Sequence, residues 1–168
     1  NDQLTFIGHL IKTPKLERPG DIKKLAANTK ADWVKLIKEQ KIDTPESEKG
    51  KTQSERIKNF ADKLEKNFAK KFPTTAFSSR LKQDEKSTIE QKDSLISFFD
   101  VHPDFDLQKH RIETFLSDNP GTLSSEAKPL VAGQLRRLQR VFKLAPTYEA
   151  STALLNNGIH SSQQVYSM

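Results

Sequence analysis

Apolar residues recur along this chain at intervals of three or four, the spacing that places side chains on one face of an α-helix. The clearest stripe has six members: Ile57, Phe60, Ala61, Leu64, Phe68 and Phe72. A capping-box pair, Thr52 with Glu55, precedes this stripe, and Pro73 follows it. We therefore predict a helix over roughly residues 53–72.

Similar start signals precede three other stripes: Thr29 with Asp32, Ser87 with Glu90, and Ser124. Gly158 follows Asn157 where a helix would end in a Schellman cap, and a further helix would start at Ser161. No credible β-hairpin remains between the stripes. The pattern predicts an all-α fold of seven or eight short and medium helices with proline-punctuated turns, forming a single domain over residues 1–168.

The amino-acid composition excludes several kinds of functional site. The 168 residues include 34% hydrophobic residues and no cysteine, which excludes disulfides, thiolate zinc sites and cysteine nucleophiles. Because this apolar content is low for a patterned helical chain, we expect a segment of a longer protein whose stripes are completed by neighbouring parts. The net charge of +6 is uneven: residues 1–86 carry 20 basic and 13 acidic residues, whereas residues 87–168 carry 8 and 9.

One short stretch invites a metal-site interpretation, since it holds His102, Asp104, Asp106, His110 and Glu113. The two histidines are eight residues apart across a turn, and no metal-ligand motif is present. We instead predict that one of the two aspartates caps the helix that carries Leu107, Ile112, Phe115 and Leu116. No metal and no cofactor are expected.

Catalysis has equally little support. His110 and Glu113 could act as a general base and its orienting partner, which leaves a small enzyme domain as one alternative, but no serine lies in a nucleophile-elbow motif. The other carboxylates mostly alternate with lysine, as around Glu48, and are predicted to lie on solvated faces. We expect a non-enzymatic protein with no catalytic residues.

The basic residues Arg136, Arg140 and Lys143 have spacings of four and three, which place them on one helix face. Such a face could bind an acidic surface of a neighbouring domain, or it could bind phosphate in a nucleic-acid-binding module. The interleaving of lysines with acids and the lack of a stacking platform favour the first interpretation. The phenylalanines Phe98, Phe99, Phe105, Phe115 and Phe142 are predicted to be core.

The C-terminal third is more distinctive. Residues 135–148 read LRRLQRVFKLAPTY, and residues 154–161 read LLNNGIHS. Together they resemble a signature of the A component of toxin-complex (Tc) insecticidal toxins and of the related Salmonella virulence plasmid A proteins. Matches in the same order occur upstream, at Asp32-Trp33, Leu36-Ile37, Phe72-Pro73-Thr74, Ala76-Phe77, Arg80-Leu81, residues 98–103 and Phe105-Asp106-Leu107.

This resemblance implies a segment of the α-helical shell of a Tc-like A subunit. In that family the subunit forms a secreted homopentamer whose shell surrounds a channel. A pH-linked opening of the shell lets the channel enter a membrane and translocate a toxic enzyme carried by the B and C components. The expected partners are therefore other domains of the parent chain, further copies of it and the B and C components. Membrane contact would involve only parts outside this sequence.

We assign hypothetical roles to two sets of residues. Arg136, Arg140 and Lys143 would contact an adjoining acidic surface during assembly. His102 and His110 would sense pH, because imidazole changes its charge near pH 6.

Overall fold

The structure is a computed structural model that describes residues 19–121, 123, 126–160 and 164. These residues form eight helices and no strand, which confirms the predicted all-α fold. The chain falls into two compact units, Asn1–Phe72 and Pro73–Met168. Each unit has its own apolar core. The expectation of a single domain over residues 1–168 stays a prediction.

Two of the three helices described in the first unit begin as their capping boxes predict. They are a 3-10 helix over Pro19–Ala27, α1 over Lys30–Glu39 and α2 over Gln53–Lys71. The Thr29 hydroxyl accepts the backbone N–H of Asp32 at 3.2 Å, and the Asp32 carboxylate accepts the N–H of Thr29 at 2.8 Å. Thr52 and Glu55 repeat this exchange at α2. The helix predicted over residues 53–72 is confirmed.

Trp33 is at the centre of the first core, where it is fully buried. Its ring lies 5.0 Å from that of Phe68, centroid to centroid, so the packing joins α1 to α2. The other buried members are Leu25, Ile37, Ile42, Phe60, Ala61 and Leu64. The α2 stripe read from the sequence therefore packs against α1.

Glu48 corrects one expectation for this unit. Its residue is 7% exposed, and its carboxylate lies 2.8 Å from the Lys63 ammonium group of α2. The prediction that Glu48 lies on a solvated face is therefore wrong. The physical reason is its partner, because a carboxylate can leave water when a cation and hydrogen bonds replace its hydration.

The described residues of the second unit form five α-helices, and the longest of them organises the others. They are α3 over Pro73–Gln83, α4 over Lys92–Val101, α5 over Ile112–Asp118, α6 over Ala127–Leu144 and α7 over Tyr148–Asn156. Helix α6 packs against α4, α5 and α7, and α3 packs against α4 and α7. Among the described residues, no helix is both long and apolar enough to cross a bilayer.

The inner face of α6 forms the middle of this second core. Val131, Leu135, Leu138 and Phe142 are each at most 1% exposed. Their spacings of four, three and four residues align them as one stripe. The phenylalanines predicted to be core lie around it, all of them buried except Phe115, which is half-buried.

The predicted start at Ser87 and Glu90 is wrong. Helix α4 begins at Lys92, after Gln91 in a left-handed conformation with φ of 56°. Glu90 does not cap this helix, because its carboxylate accepts hydrogen bonds from Gln134 and Arg137 of α6. A partner distant in sequence therefore overrides the local capping pattern.

The predicted end of α7 is confirmed. Gly158 has φ of 71°, a conformation that glycine adopts without steric penalty. The N–H of Ile159 donates to the Leu154 carbonyl at 2.9 Å, and the N–H of Gly158 donates to the Leu155 carbonyl at 3.0 Å. These two bonds define a Schellman motif. The predicted starts at Ser124 and Ser161 lie outside the described residues.

Leu135→Ala tests the role of α6, with Leu130→Ala as a matched control on the same helix. Leu135 is fully buried, whereas Leu130 is 57% exposed. We expect Leu135→Ala to lower the free energy of unfolding by about 2–5 kcal/mol, because it leaves a cavity in a packed core. Leu130→Ala should change that free energy by no more than about 0.5 kcal/mol.

Urea unfolding followed by circular dichroism measures both variants. Equal midpoints for Leu135→Ala and Leu130→Ala would contradict the packing described for α6.

Candidate functional site

Two features of the second unit contain the residues singled out from the sequence. The first is a histidine–phenylalanine cluster, formed by Phe98, His102, Phe105, His110 and Phe115. The second is the basic face of α6, formed by Arg136, Arg137, Arg140 and Lys143.

His102 enters the cluster because a proline ends α4. Pro103 disfavours helical geometry in the residue before it, and His102 has φ of −117° and ψ of 66°. Its backbone N–H still donates to the Phe98 carbonyl at 2.9 Å, so it caps the last turn. The carbonyl of His102 accepts the N–H of Phe105 at 3.0 Å, which turns the chain toward α5.

Phe115 brings the two histidines together. Its ring centroid lies 5.0 Å from that of His102, with the planes nearly perpendicular at 88°. The His110 ring lies 5.4 Å from the same phenylalanine, and the Phe105 ring lies 4.7 Å away. The sequence singled out both histidines but gave Phe115 only a core role. No local sequence motif predicts these contacts, because His102 and His110 lie in the irregular segment before α5 and not on the same helix as Phe115.

The imidazole of His102 is poorly placed to carry a charge. Its Nε2 is buried and has no hydrogen-bond partner in the described part of the chain. Burial lowers the pKa of His102 below the ordinary value of 6.5, because the cluster replaces water around the charged form. The phenylalanine rings on either side therefore favour the neutral imidazole.

His110 is instead held by a hydrogen bond. Its Nδ1 accepts the backbone N–H of Asp106 at 2.8 Å, so the neutral ring carries its hydrogen on Nε2. The backbone N–H of His110 donates to the Asp106 carbonyl at 2.9 Å and closes the same loop. A proton on Nδ1 would turn the acceptor into a donor and break the bond to Asp106.

Side chains from two other helices fix this loop. The Gln139 amide of α6 donates to the carbonyls of Leu107 and His110, both at 2.8 Å. The buried Thr74 hydroxyl of α3 accepts the N–H of Leu107 at 2.9 Å. No local sequence pattern marks Gln139, because its hydrogen-bond partners lie about 30 residues away in the chain. The loop is therefore rigidly attached to both helices.

The predicted capping role of Asp104 or Asp106 is wrong. Helix α5 begins after Arg111 and has no side-chain cap, and Leu107 lies in the preceding turn. Asp106 instead accepts the backbone N–H of Gln108 at 2.8 Å, a bond two residues along the chain. Helix caps use the same kind of bond, but here it opens a turn at residues 107–109 that ends before α5 begins.

His110 and Glu113 do not form the pair on which the enzyme alternative depends. The Glu113 carboxylate accepts a hydrogen bond of 2.6 Å from Nε of Arg136, and this bond lowers the pKa of Glu113. The Nδ1 of His110 is occupied by Asp106. Across the described residues, no three histidine, aspartate or glutamate side chains meet in a way that could hold a metal ion.

Helix α6 contains the three cations that the sequence placed on one helix face, Arg136, Arg140 and Lys143, and Arg137 lies beside them. All four of these cations are exposed. Arg136 pairs with Glu113 of α5, and Arg137 lies 3.4 Å from the Glu90 carboxylate. Nε of Arg140 donates to the His160 carbonyl at 3.1 Å. No carboxylate of the described residues pairs with Arg140 or Lys143, so the face keeps an excess of positive charge.

No protein-family model, no curated protein and no solved structure matches this chain significantly.

His102 makes a testable contribution to acid sensitivity. Its pKa is lowered in the folded state, so the unfolded chain takes up the proton first as the pH falls. The stabilisation is therefore complete above the unfolded pKa of about 6.5 and is lost as the pH falls through the folded value. We expect the wild-type chain to be less stable at pH 5.5 than at pH 7.5, and His102→Gln to reduce that difference.

Urea midpoints at several pH values measure this slope, and His110→Gln reports the other ring separately. Identical slopes in wild type and His102→Gln would contradict the role of burial.

Proposed function

We propose that this chain is a non-enzymatic structural segment of the α-helical shell of a Tc-toxin-like A subunit. In this role it contributes to the assembly of a secreted, pore-forming and toxin-translocating complex. Its partners are other domains of the parent chain, further copies of that chain, and the B and C components. The basic face of α6 supplies contacts to an adjoining acidic surface.

One observation carries the proposal: the residues of the C-terminal resemblance occupy scaffold positions. Leu135, Leu138 and Phe142 form the buried stripe of α6. Gly158 supplies the left-handed turn that ends α7. Residues with these roles fix the path of the backbone, which is what a shell requires of its parts.

The histidine–phenylalanine cluster supports the pH-sensing hypothesis for His102 and His110. Protonation of His102 would place a charge among phenylalanine rings, and protonation of His110 at Nδ1 would break its bond to Asp106. Both events would loosen the loop between α4 and α5. In a pH-opened shell, that loosening is the expected direction of change.

Charge reversal on the basic face tests the assembly role. We expect Arg136→Glu combined with Arg140→Glu to weaken assembly of the full gene product that contains this chain, because both side chains would then repel an acidic neighbour. Lys86→Glu combined with Lys128→Glu makes the same change of charge at exposed positions off this face. Analytical ultracentrifugation, with electron microscopy of the particles, measures the outcome.

A wild-type product that is monomeric, or particles without a central channel, would contradict the shell proposal. Unchanged sedimentation of the Arg136→Glu, Arg140→Glu variant would contradict the role of the basic face.

A nucleic-acid-binding module is the second candidate, and the charge of α6 favours it. This helix contains five basic residues and no acidic residue. If phosphate were the ligand, binding of a labelled 20-base-pair duplex would weaken steeply as salt rises from about 50 to 200 mM, because each neutralised phosphate releases counterions. The shell proposal predicts weak duplex binding at about 150 mM salt. Tight binding there, lost in Arg136→Gln combined with Arg140→Gln, would favour the module instead.

A further inference from the structure

Helix α6 carries a second stripe on its exposed side, which we call the outer seam. It consists of Leu130, Gly133, Arg137, Arg140 and Leu144. Their spacings are three, four, three and four residues, the a and d positions of a heptad repeat. The outer seam is therefore spaced like a helix-pairing surface, on the side of α6 away from the core.

The apolar ends of the outer seam are open. Leu130 is 57% exposed and Leu144 is 44% exposed, and they are two of the three exposed large hydrophobic residues in the described chain. They are fourteen residues, or two heptads, apart, so a straight helix places them about 40° from each other around its axis. Apart from the backbone of its own helix and its chain neighbours, no described residue has a heavy atom within 4 Å of a methyl group added at Gly133, so a second backbone could approach closely there.

The charges define what could cover the outer seam. Arg137 and Arg140 lie within it, and Arg136 and Lys143 occupy the heptad g positions beside it, where coiled coils place the charges that select a partner. The two carboxylates that face these cations belong to exposed ion pairs. Exposed pairs of this kind contribute little and exchange readily. The described residues therefore supply two carboxylates for the four cations of the basic face, and a partner could supply further acidic groups to Arg140 and Lys143.

We propose that the outer seam docks an amphipathic helix of a partner, with apolar residues facing Leu130 and Leu144 and acidic residues facing the arginines. This inference rests on the contact role proposed above for the basic face, and it adds the kind of partner. The two outer leucines anchor the partner helix, Gly133 allows its close approach, and the cations fix its charge and register.

A synthetic peptide provides the probe. It has about four heptads, with leucine at a and d and glutamate at e and g, so its like charges oppose self-pairing. We expect saturable binding to the full 168-residue chain in fluorescence anisotropy, with a gain of helical circular dichroism on mixing. The same peptide with lysine in place of glutamate should not bind.

Two variant pairs separate the apolar and the charged contributions. Leu130→Ser with Leu144→Ser, and Arg137→Gln with Arg140→Gln, should each weaken binding by about tenfold or more. The matched controls are Val101→Ser, an exposed apolar residue on α4, and Lys128→Gln with Lys86→Gln. All these positions are exposed, and thermal melts establish that each variant is folded.

No binding of the acidic peptide, equal binding of the lysine peptide, or unchanged binding by the leucine variant would overturn the proposal. Tighter binding of a 20-base-pair duplex than of the acidic peptide would also overturn it, in favour of a nucleic-acid interface. Peptide binding alongside a monomeric full gene product would leave the outer seam standing and contradict only the shell proposal.

Discussion

The second unit depends on one stripe of four side chains on α6. Val131, Leu135, Leu138 and Phe142 are buried together, and each contributes roughly 1.5–3 kcal/mol when it leaves water. Helices α5 and α7 have only seven and nine residues. Isolated helices of this length are marginal in water, so both depend on packing, α5 on α6 and α7 on α6 and α3.

This dependence explains how α6 can carry two different surfaces. Its inner stripe is fixed by the core, whereas the described contacts of its outer cations are ion pairs with Glu90 and Glu113 and a hydrogen bond to the His160 carbonyl. An arginine-rich outer seam is therefore compatible with the fold, and it sets the charge of whatever covers it. The residues that specify the fold, such as Leu135, therefore lie on the inner side of α6. The residues available for contact, such as Arg140, lie on its outer side.

The features predicted from sequence are those set by neighbouring residues. The capping boxes at Thr29 and Thr52 and the Schellman turn at Gly158 need only bonds within a few residues, and all three are confirmed. The predictions for Glu90 and Glu48 were wrong for the opposite reason. Glu90 bonds to residues on α6 that are 44 and 47 positions away, and Glu48 bonds to Lys63, 15 positions away. A local pattern gives no information about such partners.

The contacts of the candidate site also depend on residues that are distant in sequence. The sequence placed His102 and His110 in one hypothesis, and it placed Arg136 in another. Helix α5 joins the two, because Phe115 contacts both imidazoles while Glu113, two residues earlier, binds Arg136. This relation depends on how the loop after α4 returns to α6. That return is fixed by the hydrogen bond that the Leu107 N–H donates to Thr74 and the one that Gln139 donates to the Leu107 carbonyl.

Nε2 of His102 is buried and has no hydrogen-bond partner among the described residues, which departs from the rule that buried polar groups are hydrogen-bonded. His102 is also in contact with Phe115 on the shortest helix of the unit, whose place is maintained by packing on α6 and by the exposed pair between Glu113 and Arg136. Helix α5 therefore connects the histidine–phenylalanine cluster to the basic face. It is the shortest helix of the unit and the one least stable in isolation.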